Sequence, residues 1–225
     1  MKTALLTLLA LALPTLGFAN DDQAQNYSFR ASSPIVLRNL FRVYYPTTPL
    51  PSDGSEYTGK WKQVLLNSYS TEGPFKAKAL SSIPFFTKPS AGSKRVATAK
   101  LTKSSKDLVL FFIGNEEKQS YACFSAENGK APWGGYFISN KSPHNIMLQV
   151  GKVKKIIPPG KSGSINPGLG THEVKLYTGT KQEPKMLRNT KWHTTENQRE
   201  FVLYYGQKLR WVHIADNKQS ETAQN

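Results

Sequence analysis

The sequence predicts an all-β protein, built as an antiparallel β-sandwich of the immunoglobulin-like or cupredoxin-like kind or as two small sandwiches. The first observation is the stretch 107–164, where five short apolar or alternating runs are each closed by Gly, Asn or Pro. Such runs are typical of strands joined by hairpins. The second observation is that no segment after residue 19 repeats apolar residues at the period of a helix, so almost no helix is expected.

The first 19 residues have the pattern of a secretory signal peptide. A basic start at Lys2 precedes an apolar run of about 14 residues, and Gly17 and Ala19 place small residues at the −3 and −1 positions of a cleavage site. The run is shorter than the roughly 20 residues that a membrane-spanning helix needs. We therefore predict export, cleavage after Ala19 and a periplasmic or extracellular location, with no transmembrane segment in the mature chain.

The N-terminal half of the mature chain reads as a disordered leader, 20–33, followed by an N-terminal β region, 34–104. Loops rich in Pro, Ser, Thr and Gly at 46–59 and 84–92 separate the apolar or alternating segments. The strands predicted in this region are 34–45, as one strand with a bulge or as two short strands, and 61–69, 75–80 and 95–101.

The remainder reads as a C-terminal β-sandwich region, 105–215, and a disordered tail, 216–225. The continuous apolar run 108–113 predicts a central strand that is buried on both faces. The polar stretch 181–196 is the one place where a helical turn is expected. The other predicted strands are 119–125, 136–139, 145–150, 153–157, 173–177, 200–205 and 208–214.

The sequence carries no pattern that predicts catalysis, a metal or a cofactor. The four histidines show no His-x-His or His-x3-His spacing, and no His precedes the single cysteine, Cys123, as a blue-copper site requires. Cys123 occupies an alternating strand position, which predicts a small buried apolar side chain and no disulfide. No Gly-x-Ser-x-Gly motif is present, and many acidic residues fall in the leader, turns or tail, where paired catalytic carboxylates are not expected.

Net charge is the strongest functional signal. Removal of Lys2 with the signal leaves 29 basic and 15 acidic side chains, a net charge of +14. A field of this sign favours anionic partners. For an exported protein these are anionic glycans, lipopolysaccharide, cell-wall polymers or acidic lipid head groups, whereas export disfavours nucleic acid.

Three groups of basic residues are candidates for such binding. The main candidate anion-binding group is Lys152, Lys154, Lys155 and Lys161, around one predicted hairpin. The other two groups are Lys100, Lys103 and Lys106, and Lys181, Lys185, Arg188 and Lys191. The alternative is that these side chains are solvated strand edges, where lysine blocks edge-to-edge aggregation.

Several motifs support a family resemblance. These are Trp-Gly-Gly-Tyr-Phe-Ile-Ser-Asn at 133–140, Ile-Met-Leu-Gln-Val-Gly at 146–151, Ile-Ile-Pro-Pro-Gly-Lys-Ser at 156–162 and the closing strands 199–205 and 210–212. Residues 107–214 resemble functionally uncharacterised secreted β-sandwich proteins of Gram-negative bacteria. The resemblance implies an exported sandwich and carries no functional residues.

We therefore expect a non-catalytic binding or scaffold protein of the cell envelope that acts through anionic polymers. One alternative is a subunit of an envelope assembly that binds another protein through a sheet edge or an aromatic patch. The other is a hydrolase of an envelope polymer. The sequence does not choose an oligomeric state.

Overall fold

A computed structural model describes residues 23–68, 70–101, 104–179, 182–206 and 209–217. Within these ranges the protein consists of strands and one turn of 3-10 helix at Asn128–Lys130, which confirms the predicted all-β class. None of the helical structure in the described ranges has the length and hydropathy required to cross a membrane.

The strands divide into two groups of eight along the chain. The first group is β1 Gln25–Ile35, β2 Arg42–Pro46, β3 Trp61–Leu65, β4 Glu72–Ala79, β5 Ser82–Phe86, β6 Arg95–Lys100, β7 Asp107–Asn115 and β8 Ser120–Glu127. The second group is β9 Tyr136–Lys141, β10 Ile146–Val150, β11 Val153–Ile157, β12 Ser162–Ile165, β13 Gly170–Gly179, β14 Pro184–Thr194, β15 Gln198–Tyr205 and β16 Arg210–Asn217.

Each group forms a sandwich, and the two sandwiches share one topology. The first has sheets in the order β4-β1-β7-β8 and β3-β2-β5-β6, and the second has β12-β9-β15-β16 and β11-β10-β13-β14. When eight is added to each strand number of the first sandwich, the result is the strand order of both sheets in the second sandwich. The parallel pair also recurs, since β1 pairs with β7 as β9 pairs with β15. The protein is therefore a tandem repeat of one eight-stranded unit.

The opening strands of the two units retain a common sequence pattern. Tyr27 is followed by Ser33 and Pro34 at the same spacing as Tyr136 is followed by Ser142 and Pro143. Both tyrosines are buried where the strand enters its core. This shared spacing supports a duplicated unit.

The two sandwiches pack against each other through the sheets that contain β7 and β15, here called the inner sheets. In β7, Leu108, Leu110 and Phe112 face the first core, and the alternate residues face a third core between the sandwiches. β15 is buried on both faces in the same way. The ring centroids of Phe111 and Phe201 lie 6.0 Å apart across this interface. The prediction that 108–113 is a strand buried on both faces is confirmed.

Several expectations from the sequence differ from the structure. The stretch 20–33 was expected to be a disordered leader, but most of it from residue 25 onward forms β1. Its polar residues alternate with Tyr27, Phe29 and Ala31, which are buried because that face of β1 packs into the core of the first sandwich. The boundary near residue 105 also moves, since β7 and β8 belong to the first sandwich.

The third difference concerns the stretch 181–196, where a helical turn was expected and β14 is found instead, paired along its length with β13. Residues 216 and 217, assigned to the tail, complete β16. The predicted signal peptide, 1–19, and the remainder of the tail lie outside the described residues.

A buried ion-pair network also joins the two sandwiches. The side chain of Asp216 is fully buried and accepts hydrogen bonds from Arg199 Nε at 2.8 Å, from Arg30 Nη1 at 2.9 Å and from Thr71 Oγ1 at 2.7 Å. Arg30 and Thr71 belong to the first sandwich. Arg199 also donates to the backbone and side-chain oxygens of Asn128. Buried charges of this kind are stable only when all of their polar atoms have partners.

Replacing Asp216 by Ala is expected to lower the free energy of unfolding by about 3–5 kcal/mol, because the buried guanidinium of Arg199 loses its charged partner. The control is Lys130→Ala, which removes an exposed pair with Glu127 and is expected to cost less than about 1 kcal/mol. Urea unfolding measures both. Equal losses in the two variants would contradict a structural role for the network.

Candidate functional site

A strongly basic concave surface on the first sandwich is an open cleft of about 860 Å³. Its lining includes five lysines and no acidic residue. We call this surface the lysine cleft. The five lysines are Lys60, Lys62, Lys76, Lys78 and Lys106. The other lining residues are Asn26, Tyr27, Ser28, Thr47, Thr48 and Ala77.

The cleft forms where two edge strands end their sheets. β3 is the edge of one sheet of the first sandwich, and β4 is the edge of the other. On β4, Lys76 and Lys78 alternate with Ala77 and Ala79, which are buried in the core, so the lysines face away from it. A lysine at such an edge keeps its ammonium group in water while its backbone stays in the sheet.

Backbone hydrogen bonds fix the positions from which these lysines extend. The Thr47 N–H donates to the carbonyl of Lys60 at 2.9 Å, and the Lys78 N–H donates to the carbonyl of Thr47 at 2.7 Å. On the other side of the cleft, the Ser28 N–H donates to the carbonyl of Lys106 at 2.7 Å. The cleft therefore brings together charges from three separate stretches of the chain on an ordered backbone.

The five ammonium groups have no charge partner within the described ranges of the chain. All five lysines are exposed, and none of them takes part in an ion pair within the described residues. Like charges held together in this way repel one another, and a bound anion relieves that repulsion. The cleft is thus prepared electrostatically for a ligand that carries several negative charges.

The lysines predicted from the sequence occupy the equivalent edge of the second sandwich. Lys152, Lys154 and Lys161 are exposed next to β11 and β12, the counterparts of β3 and β4. Lys155 differs, because its Nζ donates to the carbonyl of Ser164 at 2.8 Å and so joins β11 to β12. Lys155 is therefore engaged in a hydrogen bond within the protein. The side chains of Lys152, Lys154 and Lys161 are exposed to solvent.

The lysine cleft was not recognised from the sequence. Lys106 was grouped with Lys100 and Lys103 around one turn, and the other four lysines of the cleft were not singled out. Lys103, like Lys181 of the third group, lies outside the described residues. The usable signal was the alternation of Lys76 and Lys78 with small apolar residues, which marks a solvent-facing edge strand.

Two buried carboxylates, Glu200 and Asp216, are too separated to act on one substrate. Asp216 faces the interface between the sandwiches, whereas Glu200 faces the second core on the opposite side of the same sheet. Glu200 Oε2 lies 2.8 Å from His213 Nε2, at an angle that does not make a hydrogen bond. Burial, and then the Glu200 carboxylate, raise the pKa of the Tyr136 hydroxyl. That phenol is therefore protonated at neutral pH.

The remaining reactive side chains are dispersed. The described residues contain no group of three His, Cys, Asp or Glu side chains that could hold a metal ion. Cys123 is partly buried and packs against the first core, as its alternating position predicted. Burial raises the pKa of its thiol, so the reactive thiolate is scarce at neutral pH.

Taken together, the fold and the site define a protein of two tandem β-sandwiches with a basic, acid-free cleft at a sheet edge. Comparison with protein-family models and with curated proteins finds no match. The function is therefore argued from the geometry of this chain.

In the folded protein at pH 8, Cys123 is expected to react with a disulfide reagent such as dithionitrobenzoate at least about a hundredfold more slowly than in urea. The thiolate fraction falls tenfold for each unit by which the pKa exceeds the pH, and burial limits access as well. Absorbance of the released thiol measures both rates. Equal rates would show that the thiol is open to solvent.

Proposed function

We propose that this protein is an exported, non-catalytic binding protein of the cell envelope that holds an anionic polymer in the lysine cleft. The observation that carries the proposal is the set of five exposed lysines, without acidic neighbours in the lining or ion pairs in the described chain, around a cleft of about 860 Å³. The predicted signal peptide and the net charge of +14 after its removal support the same proposal.

The chemistry of the cleft favours a polymer over a single small anion. Its charges are all lysines, which are flexible and strongly hydrated, and its lining contains no arginine whose planar group would clamp one carboxylate or phosphate. The affinity of such a surface for a polymer depends on the density of negative charge along the polymer rather than on the shape of one anionic group. A polyuronate and a phosphate-linked polymer share this property, and they differ in the anion that they present.

The second sandwich strengthens the case for a long ligand. Lys152, Lys154 and Lys161 repeat a basic edge at the equivalent place in the second unit. Two basic edges on one chain favour a multivalent polymer, because the second contact forms at high effective concentration once the first has formed.

Polygalacturonate and linear polyphosphate serve as the two probes. The triple variant Lys62→Gln, Lys76→Gln, Lys78→Gln is expected to bind the preferred polymer at least about tenfold more weakly than the unmodified protein. The slope of log affinity against log salt concentration should become shallower by roughly two to three, since fewer counterions are released. Titration calorimetry at several salt concentrations measures both quantities.

The matched control is Lys88→Gln, Lys94→Gln, Lys118→Gln, which removes the same charge from exposed positions that do not line the cleft. We expect the control to retain most of the affinity and the slope. Equal losses in both variants would show that net charge alone drives binding and would overturn the cleft. Failure of both polymers to bind at low salt would overturn the proposed function.

A further inference from the structure

The two sandwiches differ at one edge. In the first, β6 packs against β8, and Ser125 Oγ donates to the carbonyl of Lys100 at 3.0 Å across that edge. Their counterparts in the second, β14 and β16, show no comparable strand packing in the described part of the chain. The rings of Trp192 and Trp211 are stacked there instead, with centroids 6.1 Å apart. The second sandwich is therefore open where the first is closed.

β14 is the longest of the strands that form sheet edges in the described chain. It has 11 residues and pairs on one side with β13. Residues 184–189 of β14 are exposed, so this half of the strand projects beyond the core. Its other side presents backbone N–H and C=O groups that no described strand pairs, which is the arrangement that accepts an added strand.

The side chains of β14 indicate the chemistry of the strand that this edge would accept. Lys185, Arg188 and Lys191 are exposed cations, and Met186 and Leu187 are apolar side chains that are 55% and 43% exposed. The Arg188 guanidinium lies 4.7 Å from the centre of the Trp211 ring, which holds this cation at the edge. From this surface we infer that β14 binds an extended polypeptide segment in which carboxylate and apolar side chains alternate.

A second copy of this chain is a poorer occupant. An antiparallel pair of β14 strands centred on Arg188 would place Arg188 opposite itself and Lys185 opposite Lys191. Like charges directly opposite each other destabilise a strand pair. Charge complementarity thus selects an acidic strand from another protein.

This surface lies on the second sandwich and its ligand is a polypeptide, so the inference is independent of the lysine cleft. The probe is a peptide of about ten residues that alternates Glu and Val, long enough to cover the exposed half of β14. Its control is the same peptide with an N-methyl group on every residue, which leaves no backbone N–H on either edge of the peptide to donate into a ladder. Amide hydrogen exchange of the full protein is the measurement.

We expect the acidic peptide to protect amides within 184–191, and the N-methylated peptide to give no such protection. The double variant Lys185→Glu, Lys191→Glu should bind the acidic peptide roughly tenfold more weakly, and should bind a Lys-Val peptide in its place. The matched variant Lys88→Glu, Lys118→Glu makes the same charge change at exposed positions outside β14 and the lysine cleft, and should bind the acidic peptide as the unmodified protein does.

Several outcomes would overturn the inference. Equal binding of the N-methylated peptide would exclude strand addition, and protection at the lysine cleft without protection of β14 would place the peptide elsewhere. If the variant Lys185→Glu, Lys191→Glu still preferred the acidic peptide to the Lys-Val peptide, charge complementarity would not be what selects the ligand. Protection of β14 that rises with protein concentration in the absence of peptide would identify a second copy as the occupant.

Discussion

Burial of both faces of β7 and β15 is the constraint on which the rest of this structure depends. One face of each strand completes the core of its own sandwich, and the other face builds the core between the sandwiches. A strand in this position needs apolar residues at every place, which explains the continuous runs at 108–113 and 201–205. The facing sides of the inner sheets are consequently held together, and the edge strands β3, β4 and β14 lie away from that contact.

The buried network around Asp216 fixes how the two sandwiches are oriented across that apolar contact. Apolar packing alone permits neighbouring arrangements, whereas the hydrogen bonds that Asp216 accepts from Arg30, Thr71 and Arg199 are satisfied in one arrangement. Among the described residues, Asp216 has the most deeply buried carboxylate, and this group makes structural contacts. The exposed lysines of the lysine cleft, by contrast, lie at sheet edges.

The two units share one topology, but their edges differ in chemistry. The β3–β4 edge of the first sandwich and the β11–β12 edge of the second both carry lysines, although Lys155 is engaged by Ser164 in the second. The opposite edge is closed in the first sandwich and open in the second, where β14 projects. A repeated fold thus supports two kinds of surface on one chain, one suited to a polyanion and one to an acidic strand.

The sequence by itself determined the features that depend on a few neighbouring residues: the all-β class, most strand positions, the strand buried on both faces and the basic character of the surface. It missed β1, since its polar positions concealed an alternation that matters only when β4 and β7 flank it. It also missed the lysine cleft, whose charges come from β3, β4 and the start of β7. Tertiary structure alone decided these points, because strand pairing and the burial of a face depend on residues far apart in the chain.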